Sequence, residues 1–366
     1  MISAPVHPPA IISPGPNQVS FGAIWGTVGH SVERVVVRID GHKRAARPPR
    51  GHHFAFSVSL PRRDFTLRVT AISRHGSAST VVRHVFGLPR RASPRRVAGY
   101  REPRLARPVR RLVRRFPGTA AAYVEDLVTG AGAAWNAGAR FPAASTLKLA
   151  IAVELLRSLR GPPPSPRSYL GSLMTAMLDY SDNVAANQLL TAAGGSWRVN
   201  TTLRLLGLRD TEMFGGYIPG TRPERHDPIP VHTVEQPSFG IGKYTTAHDL
   251  ARLLKLVHLA AGGKGPLVRR FGTFTEADAR YLLYELAHVA DPGKLGRFVH
   301  GGGIAVLHKA GWITHARHDS GLVYWPGGVF VATVMTYNSY GAGVASDVLA
   351  GRIARRSLHV FERLRR

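Results

Sequence analysis

"FPAASTLKLAIAVELL" (141–156) sets Ser145 and Lys148 three residues apart, where a loop passes into an apolar run. Residues at that spacing share one face of a helix, so the hydroxyl and the amine can meet. Two readings compete. Ser or Thr after Pro-Ala-Ala is an ordinary helix opening, and a lysine one turn in needs no further role. The other reading is a nucleophile with its base, and composition favours it. The chain holds 7 lysines among 49 Lys+Arg, hence 42 arginines, so plain positive charge is supplied by Arg. Arginine does not give up its proton, whereas a desolvated lysine does. No other serine in the chain stands three residues before a lysine.

The 366 residues, 44% of them hydrophobic, are enough for two domains with proper cores. No apolar run is long enough for a transmembrane helix. The opening "MISAPVHPPAIISPGPN" lacks both a basic start and a continuous apolar stretch, so no secretion signal is visible. With no cysteine, disulfides and thiolate metal sites are excluded. The net charge of +27 suits polyanionic partners, an anionic envelope polymer among them. Residues 88–115 alone carry 11 arginines against one Glu. Aromatic residues are not interleaved with these arginines, so no specific nucleic-acid surface is expected.

Within residues 17–88, "RVVVRIDG", "HFAFSVSLP" and "FTLRVTAIS" alternate apolar and polar positions between turn residues. They predict an N-terminal all-β sandwich over residues 1–88, with the look of an immunoglobulin-like module. His52 and His53, adjacent on a strand, point to opposite faces and predict no metal site. Residues 89–108, rich in Arg and Pro, are expected to be a linker. From 109 to 366 strands at both ends enclose a mainly helical stretch, broken by a polar loop near 209–244. That order predicts one α+β domain whose sheet joins distant segments.

Two further motifs bear on Ser145. "AMLDYSDNVAANQLL" contains Ser181-Asp182-Asn183, and "LHKAGWITHARHDSGLVYWPGGVF" contains Lys309-Ala310-Gly311 on a strand. Ser-x-x-Lys, Ser-Asp-Asn and Lys-Thr-Gly, in that order, mark class A β-lactamases and penicillin-binding proteins. Roughly residues 100–366 resemble that family, with the third motif altered. "YTTAHDLARLL" further resembles the helix start that follows the family's omega loop.

The resemblance implies a serine β-lactamase-like fold and assigns roles. Ser145 would be the nucleophile and Lys148 its base. Lys309 would be a cation holding Lys148 neutral and attracting a substrate carboxylate. Ser181 would relay a proton, and Asn183 would bond Lys148 and the substrate amide. The backbone N–H groups of Ser145 and Trp312 would form the oxyanion hole, with Gly311 at the substrate. Three departures stand out. Ala310 replaces the family's Thr, leaving Thr314 or Arg317 to bind a carboxylate. The 36 residues from Ser145 to Ser181 are fewer than in well-known lactamases, which predicts a more open cleft. Finally, none of Glu212, Glu224 and Glu235 is followed by Asn at the family's spacing. If Thr211 opens the loop, Tyr217 takes the place of the deacylating Glu, and Glu235 is the remaining base.

The expected function is therefore a serine hydrolase opening a β-lactam through a Ser145 acyl-enzyme, without metal or cofactor. The alternatives are a penicillin-binding peptidase of peptidoglycan that deacylates slowly, and a non-catalytic protein that binds envelope polymer. By resemblance the site of action is extracellular or periplasmic.

Overall fold

A computed structural model describes residues 6–216 and 236–365, and the chain divides into two compact units, Met1–Ser93 and Pro94–Arg366. The first unit is all β. Its strands are β1 (Ala10–Ser13), β2 (Gln18–Ser20), β3 (Ala23–Thr27), β4 (Arg34–Ile39), β5 (His42–Arg47), β6 (His53–Ser57), β7 (Asp64–Ser73) and β8 (Gly76–Gly87). They form a sheet ordered β2-β8-β7-β4-β5 and a smaller one ordered β1-β3-β6. Alternation in the sequence places one face inward. On β6, Phe54 and Phe56 are buried while His53, Ala55 and Ser57 are exposed. These phenylalanines share a core with Ile24, Val35, Val37, Leu67, Val69 and Val85.

The second unit opens with β9 (Tyr100–Arg101) and α1 (Pro103–Arg114), then β10 (Thr119–Asp126), β11 (Ala131–Trp135) and β12 (Arg140–Pro142). A helical stretch follows: α2 (Lys148–Leu159), α3 (Tyr169–Leu178), α4 (Asn183–Ala192) and α5 (Gly195–Leu205). After β13 (Tyr244–Thr246) come α6 (Ala247–Ala260), α7 (Pro266–Arg270) and α8 (Glu276–Ala287). The chain closes with β14 (Ala305–Ile313), β15 (Ala316–Trp325), β16 (Gly328–Tyr337) and α9 (Val344–Arg363). The main sheet, ordered β14-β15-β16-β10-β11-β9, joins β10 directly to β16 across some two hundred residues. The α+β architecture is thus as the sequence predicts. Alternate residues on β10, Ala120, Ala122 and Val124, pack with Val109 of α1 and Ile353 of α9 on one face. The edge strand β14 is left beside the helical region.

The expected linker at 89–108 is corrected. Arg90–Ala92 is a 3-10 turn, Tyr100–Arg101 pairs with β11, and α1 begins at Pro103. Glu102 caps that helix by accepting from the Arg104 N–H, and Leu105, Ala106 and Val109 are buried. Arginine density hid an amphipathic helix whose polar face is nearly all Arg. The first strand begins at Ala10, ahead of the alternating runs read within residues 17–88.

Candidate active site

Helix α2 is buried on every side from Lys148 to Leu156, which is what the nearly unbroken run "LKLAIAVELL" requires. Two charges go in with it, and each must find partners. Glu154 accepts from Thr202 Oγ1 at 2.6 Å and from Arg157 at 2.6 and 2.7 Å. Lys148, fully buried, donates to Asn183 Oδ1 at 2.7 Å, to the Ser181 carbonyl at 2.5 Å and to Ser181 Oγ at 3.3 Å. The Ser-Asp-Asn stretch supplies these acceptors because Asp182 caps α4, its carboxylate taking the Ala185 N–H at 2.6 Å. Ser181, at φ 59°, turns the chain toward Lys148.

Burial drives the Lys148 amine down to about 7, helped by the positive charge of Lys309 and, less, of Lys243, against Asp182. Lys309 lies on the edge strand and is itself lowered to about 8 by burial, while Asp319 and Asp179 hold it up. The two ammonium groups therefore share one neighbourhood. Ser145 sits half-buried in a 3-10 turn, Ala144–Leu147, immediately ahead of α2. Gly311 of β14 lies so close to that turn that a Cβ there would stand 2.7 Å from the Ser145 N and 2.8 Å from the Thr146 N. The strand carrying Lys309, Gly311 and Trp312 is thus pressed against the backbone of Ser145. A cleft of about 190 Å³ beside it is lined by Ser181, Lys309, Ala310, Trp312, Asp179 and Asp291, among others.

The turn is held from behind. Residues Arg140–Pro142 pair with Tyr244–Thr246, and the Ala143 N–H bonds the Lys243 carbonyl at 2.9 Å. His318 accepts the Thr336 N–H on Nδ1 and donates from Nε2 to the Pro142 carbonyl at 2.7 Å, a pattern only the neutral ring satisfies. Burial lowers His318 to about 4 and His258 to about 3. An unfolded chain would bind these protons near pH 6.5, so acidification favours unfolding. From these two histidines the melting temperature should fall steadily between pH 6.5 and 4, an effect that Asp179, raised to about 7, offsets only in part. Above pH 7 the lowered Lys148 and Lys309 make it climb with pH. Each histidine contributes a slope of up to about 1.4 kcal/mol per pH unit. A flat profile across the histidine window in a thermal-melt series would contradict the neutral burial.

Not every expected residue joins the cluster. The Arg317 guanidinium is held by Asp347 in a two-pronged pair at 2.7 and 2.8 Å. Thr314 is exposed at the tip of the β14–β15 hairpin. Glu212 accepts from Tyr244 OH at 2.8 Å. Tyr217, Glu224 and Glu235 lie outside the described residues. Sequence reading missed Lys243, although the scarcity of lysine that singled out Lys148 applies to it equally. It also missed Asp179, two residues before Ser181. One buried oxygen of its carboxyl has no hydrogen-bond partner, and burial with the nearby Glu285 raises it to about 7, against His288 and Lys309. Among the described residues no group of three or more His, Cys, Asp or Glu is placed to hold a metal ion.

A family model described as the β-lactamase enzyme family matches residues 104–161 and 159–361. The chain belongs to the β-lactamase enzyme family. Solved structures agree on the fold. PBP-A is 22% identical, with a TM-score of 0.56 over 73% of this chain and 99% of its own. An ancestral class A β-lactamase is 21% identical, with a TM-score of 0.56 over 70% of this chain and all (100%) of its own. A β-lactamase from Sphaerobacter thermophilus is 21% identical, with a TM-score of 0.53 over 69% and 96%. No curated protein matches this β-lactamase-family chain significantly. Among the described residues no helix is long and apolar enough to cross a membrane.

Proposed function

We propose that this β-lactamase-family protein is a serine hydrolase that opens β-lactam amides through an acyl-enzyme on Ser145. The observation that carries the reading is Lys148. Its buried amine is lowered to about 7, bonded to Ser181 and Asn183, and it lies one helical turn from a half-exposed serine. Near neutral pH much of it is the free amine, the form that accepts a proton. The Ser145 Oγ–H proton passes to Lys148 Nζ as Oγ attacks the carbonyl carbon. The amide C–N bond then breaks, and a proton reaches the leaving nitrogen by way of the Ser181 hydroxyl. The N–H groups of Ser145 and Trp312 receive the oxyanion, and Lys309 attracts an anionic group of the substrate. Asn183 orients Lys148 and the substrate amide. No metal or cofactor enters this scheme.

A second reading, acylation with slow release as in a penicillin-binding peptidase, is favoured by two observations. Ala310 lacks the family's hydroxyl, and the described acid of the loop, Glu212, is engaged by Tyr244. Glu235 is the remaining base for water in the faster reading. A variant of PBP-A, 21% identical over 73% of this chain, is held as an acyl-enzyme complex with penicillin G. Intact-mass measurement during incubation with penicillin G tests both. A transient gain equal to the whole penicillin, with hydrolysed product accumulating, is expected of the hydrolase. A persistent gain identifies the trap, and no gain at any time rejects both.

The order β2-β8-β7-β4-β5 facing β1-β3-β6 supports an immunoglobulin-like reading of the first unit. The family reading further implies work outside the cytoplasm, in the extracellular or periplasmic space where β-lactams and peptidoglycan are met.

A further inference from the structure

Helices α1 and α9 lie side by side on one face of the main sheet, and their seam is a groove. One part, about 920 Å³, has Arg111, Arg352, Arg355, Arg356 and two histidines in its wall, with Leu112 and Leu358 below. The adjoining part, about 520 Å³, adds Arg104, Arg107 and Arg363 and shares Arg111, Arg356 and His359 with the first. All seven arginines are exposed. Helical spacing explains the alignment: Arg104, Arg107 and Arg111 fall on one stripe of α1, opposite Leu105 and Val109 in the core. None of the seven takes part in an ion pair among the described residues, while other arginines of the chain, such as Arg140, Arg317 and Arg365, do. Glu362 is the sole carboxylate in the wall. Seven arginines less one glutamate leave +6 along one groove, with histidines neutral.

We propose that this groove binds a linear polyanion of repeating phosphates that carries no bases. Guanidinium forks match phosphate oxygens two at a time, and here the cations are arginines throughout. The lining holds no Trp or Tyr, and its one phenylalanine, Phe298, is half-buried beneath Arg297 at 5.8 Å, so a platform for stacking bases is missing. A lipid bilayer fits less well. The exposed large apolar side chains, Trp197, Ile241, Trp312 and Tyr340 among them, all lie elsewhere, and the surface is concave. The two parts share residues end to end, which suits a chain and not a compact anion. Held there, the polymer leaves the cleft lined by Ser181 and Lys309 open, since no residue of the groove lines it.

The test uses the full chain and inorganic polyphosphate, with binding followed by titration calorimetry at several salt concentrations. Polyglutamate, a single-stranded oligonucleotide and phosphatidylglycerol vesicles serve as the other anions. Polyphosphate should bind at least tenfold more tightly than polyglutamate or the oligonucleotide. Its log affinity should fall with log salt at a slope of about 4 to 5. Arg107→Gln, Arg111→Gln and Arg356→Gln together should weaken binding tenfold or more. A triple of equal charge on the first unit, Arg44→Gln, Arg68→Gln and Arg83→Gln, should change it less than twofold. Equal losses in the two triples would reduce the groove to overall charge and overturn the proposal. So would stronger binding of the oligonucleotide, the vesicles or polyglutamate. Penicillin labelling of the groove triple is independent of these outcomes, because the proposal does not rest on the chemistry of Ser145.

Discussion

Lys148→Met should acylate with penicillin G about 10³-fold more slowly than the unaltered protein, and Ser145→Ala should gain no mass at all. General-base assistance is worth some 10²–10⁴-fold, and here the base also occupies the centre of a hydrogen-bond cluster. Methionine keeps the volume and removes the charge, so Ser181 and Asn183 lose a donor while α2 keeps its packing. The pH profile distinguishes a base from a prop. Acylation needs Lys148 neutral, so its rate should rise as pH climbs through about 7. It needs Lys309 protonated, so the rate should fall above about 8. The result is a narrow optimum between the two, whose limbs belong to the coupled pair and not to either lysine alone. Stopped-flow acylation from pH 5.5 to 9.5 measures it. A rising limb that survives Lys148→Met would remove Lys148 from the chemistry.

Gly311→Ala should lower acylation by 10²–10³-fold, with a loss of stability of about 1–3 kcal/mol. The added methyl would meet the Ser145 N at 2.7 Å and the Thr146 N at 2.8 Å. Both obstacles are backbone, and no side-chain rotation relieves them. Either β14 moves away or the turn holding Ser145 does, and the donors that would receive an oxyanion then separate. The rate loss is that of a displaced oxyanion donor, worth about 3 kcal/mol or somewhat more. Ala310→Gly is the control, since it alters the neighbouring residue of the same strand without adding an atom. Acylation kinetics and thermal melts of both variants decide the point. Gly311→Ala acylating at the unaltered rate would show that this close approach does not matter to the reaction.

The sequence was enough to place the residues of the cluster in order. Unbroken apolarity from Leu149 to Leu156, apart from Glu154, demanded a central helix. The rarity of lysine marked Lys148, and alternation marked the strands of the first unit. These are local signals, carried by neighbours in the chain. What one residue does to another 30 to 166 positions along the chain is not local. That Lys309 depresses Lys148, that Gly311 presses on Ser145, and that Asp347 takes Arg317 all follow from β14, β15 and α9 folding back onto the first strands and α2. The Arg-rich segment shows the same divide. As composition it read as a linker, because charge density conceals a buried stripe of Leu105, Val109 and Val113. Only its packing against β10 and α9 made it a helix and lined up its arginines with those of a segment at the other end of the chain. Sequence fixes which groups are available, but charges act through space, and only the tertiary fold sets the distances between them.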